Sequence, residues 1–215
     1  MPLINSLYLK DIETDLANSN IGYPFTFETY SATHIGLVRD SNEDAFYCNG
    51  EQGLWLVADG MGGHSRGGKA SAAVVDDLRS FTCLETLTES VMDIETRFLL
   101  SNKTCRYMSE KEIVGTTVAA LFAYQSMAIF LWAGDSRVYR QRAGDLVLMT
   151  EDHTLVQERC RRGEMSQDEV QLLPEANVLT RAIGIHQNLR VEMQNAAVQS
   201  GDRYLISSDG LYREF

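Results

Sequence analysis

No stretch of this 215-residue chain approaches the ~20 consecutive apolar residues that a membrane-spanning helix needs. The opening residues, Met1-Pro2-Leu3-Ile4-Asn5-Ser6, lack the positive start and apolar core of an export signal. Cysteine is sparse. Cys48, Cys83, Cys105 and Cys160 stand far apart with no Cys-x-x-Cys pair, so they read as reduced thiols, and the expectation is a cytoplasmic protein without membrane contact. Positive charge is scarce as well: 19 Lys and Arg face 30 Asp and Glu, for a net charge of −11. The basic stripe of a nucleic-acid binder is missing, which excludes that class. No internal repeat and no linker divides the chain. What remains is ordinary globular material, 44% hydrophobic and 23% charged, long enough to bury a sizeable core.

Three short apolar runs each deliver an aspartate at their end. Leu54-Trp55-Leu56-Val57-Ala58 leads to Asp59-Gly60, Ile129-Phe130-Leu131-Trp132-Ala133-Gly134 to Asp135, and Tyr204-Leu205-Ile206-Ser207-Ser208 to Asp209-Gly210. Runs of that length, rich in β-formers and bounded by glycine, predict buried strands. A carboxylate at the end of such a strand sits at the rim of a core, where an unpaired charge is costly. Asp-Gly is also a common turn dipeptide, which accounts for any one of the three. Three together point to convergence, and an oxygen-only donor set suits a hard cation such as Mg²⁺ or Mn²⁺.

The rest of the chain reads coarsely. Residues 1–30 are polar and weakly patterned, a loose arm or an appended strand, and the segment from Thr29 to Tyr47 is turn-rich. Lys69 to Phe81 and about 86–109 carry helical spacing of apolar residues. Thr116 to Ala123 and Met127 to Ala133 are strand-like. Val138 to Thr150 predicts a hairpin turning at Ala143-Gly144-Asp145, and Val191 to Ser200 with Arg203 to Ser208 supplies two last strands. Between them lie a polar helix from His153 to Arg162 and a capping-box helix opened by Ser166-Gln167-Asp168-Glu169 and closed by Pro174. Hairpin-length links favour antiparallel sheets with helices on the outside. The glycine-rich segment Gly63-His64-Ser65-Arg66-Gly67-Gly68-Lys69 begins like a phosphate-binding P-loop. It then places Ala70 where a hydroxyl should reach Mg²⁺, and the dinucleotide fingerprint fails at Ser65.

Six motifs stand in order: Arg39-x-x-Asn42-Glu43-Asp44; Val57-Ala58-Asp59-Gly60-Met61-Gly62-Gly63-His64; Gly115-Thr116-Thr117; Gly134-Asp135-Ser136-Arg137; Leu179-Thr180-Arg181-Ala182-Ile183-Gly184; and Ser208-Asp209-Gly210-Leu211. From about Thr33 to Leu211 the chain resembles the metal-dependent protein phosphatases of the 2C family, in the bacterial branch. The resemblance implies an α+β fold, a four-layer α-β-β-α sandwich of two antiparallel sheets flanked by helices. It also implies hydrolysis of phosphoserine and phosphothreonine in proteins at a two-metal Mn²⁺ or Mg²⁺ centre, with a weaker third metal. Paired cations acidify a water and stabilise in-line displacement at phosphorus.

Carried over by resemblance, Asp59 bridges both metals and the Gly60 carbonyl binds one of them. Asp209 is the second carboxylate of the other metal, and Asp135 helps to hold the third. Glu43 and Asp44 act through metal-bound waters or are solvated loop acids. Arg39 is a phosphate clamp or a surface charge beside Asp40 and Asp44. His64 is a general-acid candidate or a loop-packing residue, because the place two residues past the first aspartate holds Met61, which transfers no proton. His153 is expected at the surface. About Thr154 to Pro174 corresponds to a variable flap suited to substrate selection.

Family members continue for about thirty residues past this chain's end, through a helix, a final strand and an Asp-Asn pair. Residues 29–215 are therefore expected to form a phosphatase domain lacking its final helix and strand, with 1–28 an arm of unclear role. The partner implied is a phosphorylated substrate of a Ser/Thr kinase, met by a monomer, in signalling. The alternative on the same scaffold is a non-catalytic phosphoprotein-binding regulatory module.

Overall fold

The computed structural model describes residues 4–18, 25–37, 39–62, 66–109, 112–166 and 178–213. Two antiparallel sheets face each other. The larger runs β1 (Asp44–Asn49), β2 (Leu54–Met61), β4 (Val118–Tyr124), β5 (Met127–Ala133) and β8 (Glu192–Ala197), with the short β3 (Gly115–Thr116) paired to the end of β2. The smaller orders β7 (Asp145–Leu148), β6 (Arg137–Arg142) and β9 (Arg203–Ser207). Helices α2 (Arg66–Leu78) and α3 (Leu87–Met108) cover the outer face of the larger sheet, the short helix α5 (Asp209–Tyr212) packs against β9 of the smaller one, and α4 (Leu155–Arg161) follows the β6–β7 hairpin in the chain. This is the expected sandwich.

The central strands are apolar throughout because both of their faces are buried. Along β5, Ile129, Leu131 and Ala133 enter the core under α2 and α3, while Ala128, Phe130 and Trp132 enter the core between the sheets. β2 divides likewise, with Leu54, Leu56 and Ala58 on the helical side and Trp55 between the sheets. A two-residue side-chain period makes this division automatic. The predicted hairpin closes over a two-residue turn: Arg142 pairs with Asp145, and Ala143 and Gly144 take φ of 52° and 97°, the left-handed pair that a twisted ribbon requires.

Three expectations change. Residues 6–18 form neither a loose arm nor a strand but α1 (Ser6–Asn18), which buries Leu9, Ile12 and Leu16 against α3. Glu13 of α1 accepts the Thr88 N–H in the first turn of α3 at 2.7 Å. Residues 44–47, the end of the segment read as turn-rich, belong to the edge strand β1, whose half-exposed alternation is a weak signal behind the polar run Arg39-Asp40-Ser41-Asn42-Glu43. His153 lies buried, ahead of α4 and outside it. The capping-box helix falls largely on residues outside those described.

Candidate active site

Strand parity carries the first carboxylate to its place. Asp59 follows Trp55 and Val57 on the face turned toward the second sheet, two residues before β2 ends. In the ladder with β1 it stands directly opposite Asp44, and like charges opposed in this way destabilise a strand pair. From the other sheet, the pairing of Arg137 with Ser207 brings the segments just beyond, Gly134-Asp135-Ser136 and Ser208-Asp209, to the same end. Asp59 comes within hydrogen-bonding reach of both Asp44 and Asp209. The three apolar runs thus do converge, and Asp44 joins them.

The backbone around these acids is fixed by hydroxyl groups. Thr117 donates its N–H to the Asp59 carbonyl at 2.8 Å and accepts the Asp59 N–H on its Oγ1 at 3.1 Å. Thr116 Oγ1 donates to the same carbonyl at 2.9 Å. Thr117 Oγ1 also meets Ser136 Oγ at 2.6 Å, which ties the loop of Asp135 to the strand of Asp59. Ser208 donates its hydroxyl to Asp44 Oδ2 at 2.7 Å, a link between the two sheets. These positioning residues were visible in the sequence as motif members without a role; their chemistry is hydrogen bonding to main chain and to side chains of distant segments, which no single sequence displays.

Glycines let the layers close. A Cβ on Gly60 would meet the Gly67 carbonyl oxygen at 2.1 Å, so the start of α2 sits directly on the residue after Asp59. Gly134, at φ +125°, would drive a Cβ into the Thr117 side chain at 2.6 Å. Either substitution displaces a segment that carries an aspartate.

Burial and mutual repulsion hold the carboxyls away from their charged form. Asp59 is pushed up to about 8, by desolvation first and then by the charges of Asp44, Asp209 and Asp135. Asp135, 5% exposed, rises to about 6 through desolvation and the charges of Asp209 and Asp152, with Arg213 opposing. Asp44 also rises, chiefly by burial, while its bond from Ser208 pulls the other way. Arg213 is placed to answer part of this charge, with Nη2 at 2.9 Å from Asp209 and 3.3 Å from Asp135.

The remaining candidates divide. Glu43 lies against the first turn of α2, where a Cβ on Gly67 would come within 2.7 Å of its carboxylate. Its own carbonyl accepts the Gly60 N–H and the Ser71 hydroxyl. Arg39 is exposed just before these acids and makes no ion pair among the described residues. His64 lies outside the described residues. His153, expected at the surface, exchanges bonds with Gly134, the residue before Asp135: its N–H donates to the Gly134 carbonyl at 3.0 Å and its Nδ1 accepts the Gly134 N–H at 3.1 Å. Its ring stacks on Trp132, and its Nε2 lies 3.4 Å from Glu192. Nothing local in the sequence distinguishes such a brace from a helix-face histidine.

Among the described residues, no group of three or more Asp, Glu, His or Cys side chains is drawn into a ready metal shell. The acids meet in pairs. In kind, however, the donors fit a hard divalent cation: they are oxygen-only and net negative, and two of them are lifted toward neutrality by burial and by one another's charge.

Residues 32–215 match the family "Protein phosphatase 2C". The chain is 35% identical over 190 residues to the serine/threonine phosphatase stp of Listeria monocytogenes, which covers 83% of this chain and 75% of the relative. Among solved structures, it superposes on PppA of Pseudomonas aeruginosa, described as a key regulatory component of T6SS, with a TM-score of 0.76 and 39% identity over 84% of this chain and 76% of that one. It likewise superposes on the catalytic domain of the serine threonine protein phosphatase PstP in complex with two manganese ions, with a TM-score of 0.72 and 30% identity over 83% and 76%.

Proposed function

This chain belongs to the protein phosphatase 2C family, and from that membership we propose how its residues divide the work. It is a metal-dependent protein phosphatase that removes phosphate from serine and threonine side chains with Mn²⁺ or Mg²⁺ as cofactor. When bound, a pair of such cations neutralises the phosphate dianion and acidifies the attacking water. Asp59, the Gly60 carbonyl, Asp209 and Asp135 are the residues we assign to hold them. The observation that carries the assignment is the meeting of Asp59 with Asp44 and Asp209 where strands of both sheets end.

The protein's own groups then have distinct tasks. Thr116 and Thr117 hold the Asp59 main chain, so that its carboxylate enters the reaction pre-oriented. Asp44, steadied by the Ser208 hydroxyl, accepts hydrogen bonds at the rim of the acidic group, and Glu43 does so beside α2. Arg39, exposed and free of an internal ion pair among the described residues, presents its planar fork to two phosphoryl oxygens of the incoming phosphoprotein. Its approach also offsets the repulsion that an anionic substrate meets at an acidic cleft. We assign His64 no step.

Beyond the reaction, we propose that the substrates are products of a bacterial Ser/Thr protein kinase, and that the chain acts as a monomer in the cytoplasm. No helix among the described residues is long and apolar enough to cross a membrane.

The test is phosphate release from a phosphothreonine peptide with and without Mn²⁺. Turnover should require the ion, vanish in Asp59→Asn, and in Arg39→Lys show a raised KM with a smaller fall in kcat. Equal Mn²⁺-dependent turnover in Asp59→Asn would overturn the assignment.

A further inference from the structure

Residues Tyr212 and Arg213 take hold of Asp135 from two sides. The Tyr212 hydroxyl donates to the Asp135 carbonyl at 2.9 Å, and the Arg213 guanidinium reaches its carboxylate. The same Nη2 touches Asp209, four residues back across the single turn of α5, so one cation is shared by two acids from different loops. The arrangement is braced from behind. Arg137 lies over the Tyr212 ring at 3.7 Å and grips Asp152 with two bonds of 2.9 and 2.7 Å. Arg213 itself is 37% exposed, against 29% for Asp209 and 8% for Asp135, so its side chain can leave for water while Asp135 cannot.

We propose that Arg213 is a built-in counter-cation for the Asp135–Asp209 pair, which holds the two carboxylates together when no divalent ion is bound and competes with the ion for them. A guanidinium does not lose its proton under any working condition, so its charge yields only by moving. Arg213 and a divalent ion therefore oppose each other at this pair, and the opposition is reciprocal: whatever affinity the arginine removes from the ion, the ion removes from the ion pair. Arg213 is thus a positioning residue that sets how much free Mn²⁺ the site needs. The inference rests on the assignment of Asp135 and Asp209 as metal donors.

Calorimetric titration of the metal-free protein with Mn²⁺ tests it. Arg213→Gln should bind the ion roughly three- to tenfold more tightly, the size of one partly exposed ion pair, while the metal-free variant melts at a lower temperature. A merely structural role would weaken binding instead. Arg213→Lys, which keeps a charge but not the fork, should fall between, and Tyr212→Phe should gain no affinity. Unchanged or weaker binding in Arg213→Gln, with Asp209→Asn and Asp135→Asn still impaired, would overturn the inference and leave the metal assignment standing. Full Mn²⁺ affinity in both aspartate variants would instead remove the assignment, and the inference with it.

Discussion

Asp152, Asp202 and Glu192 each face an arginine from a neighbouring element, whereas Asp44, Asp59, Asp135 and Asp209 share one half-exposed arginine among the described residues. Arg142 grips Asp202 with bonds of 2.6 and 2.7 Å, and Arg181 meets Glu192 at 2.7 Å beside His153. Glu192 is held down to about 2, by its bond with His153 first, against burial, and then by Arg181. Asp202 is also low: burial raises it, but Arg142 and the bonds from Gln199 and Tyr204 prevail. In the other region Asp59 stands at about 8. The two regions differ in how deeply Asp59 and Asp135 are buried and in whether the protein completes the pairing. Where it does, the acid belongs to the scaffold; where it stops short, the deficit of positive charge is left for a ligand.

The largest expected effect breaks the deficient region. Asp59→Asn should cost about 10³-fold or more in Mn²⁺-dependent turnover, the scale of losing a metal's several kcal/mol of charge stabilisation, while the metal-free variant melts higher because a repelling charge is gone. A steady-state assay and a melting curve read the two halves of that trade. The mirror experiment is Arg181→Ala in the completed region. Leaving Glu192 with His153 as its remaining partner should cost about 1 kcal/mol in urea unfolding, discounted for its partial exposure, with Mn²⁺ affinity unchanged.

Acidity sharpens the contrast further. Asp59 and Asp135 have folded values, about 8 and about 6, above the ~3.9 of an unfolded aspartate. Their contribution is therefore most favourable below pH ~4 and is lost as pH rises toward 8, because the unfolded chain gives up those protons first. Glu192, lowered to about 2, works in the opposite direction: its contribution is complete above pH ~4.5 and is lost as pH falls toward 2. Urea midpoints of the metal-free protein at pH 6 and pH 8.5 should fall across that interval, the fall should shrink in Asp59→Asn, and saturating Mn²⁺ should cancel it. The smallest effect is expected of Ser208→Ala, which removes one hydrogen bond to Asp44 and should lower stability by about 1 kcal/mol, with a few-fold loss of turnover.

Of this contrast, the acidic half was legible in the sequence and the paired half was not. The strands ending in Asp59, Asp135 and Asp209 announce themselves because runs buried on both faces are apolar at every position, a signal that survives without neighbours. Their meeting was an inference from three similar endings, and the β6–β9 register with the β1–β2 ladder supplies the reason. Asp44 opposite Asp59 could not be read, since β1 is a half-exposed edge strand that follows directly on a polar, turn-like run. His153 was misplaced for a related reason. Its burial comes from Trp132 and Gly134, residues of another element, and its own helical neighbours are polar. The hydroxyl ties of Thr117, Ser136 and Ser208 join segments far apart in the chain and leave no periodic trace.

Helix α1 lies ahead of the residues matched by the family, 32–215, yet Leu9, Ile12 and Leu16 fill the same apolar layer as Leu87, Val91 and Ile94. The limit of kinship and the limit of the folding unit therefore do not coincide. A gene trimmed to open at the first shared residue would yield a protein with a bare flank on α3, greasy where it should be covered, and prone to stick to its own kind. Anyone comparing turnover among these enzymes on trimmed versions would then be measuring, for this one, the consequences of a lost helix alongside its chemistry.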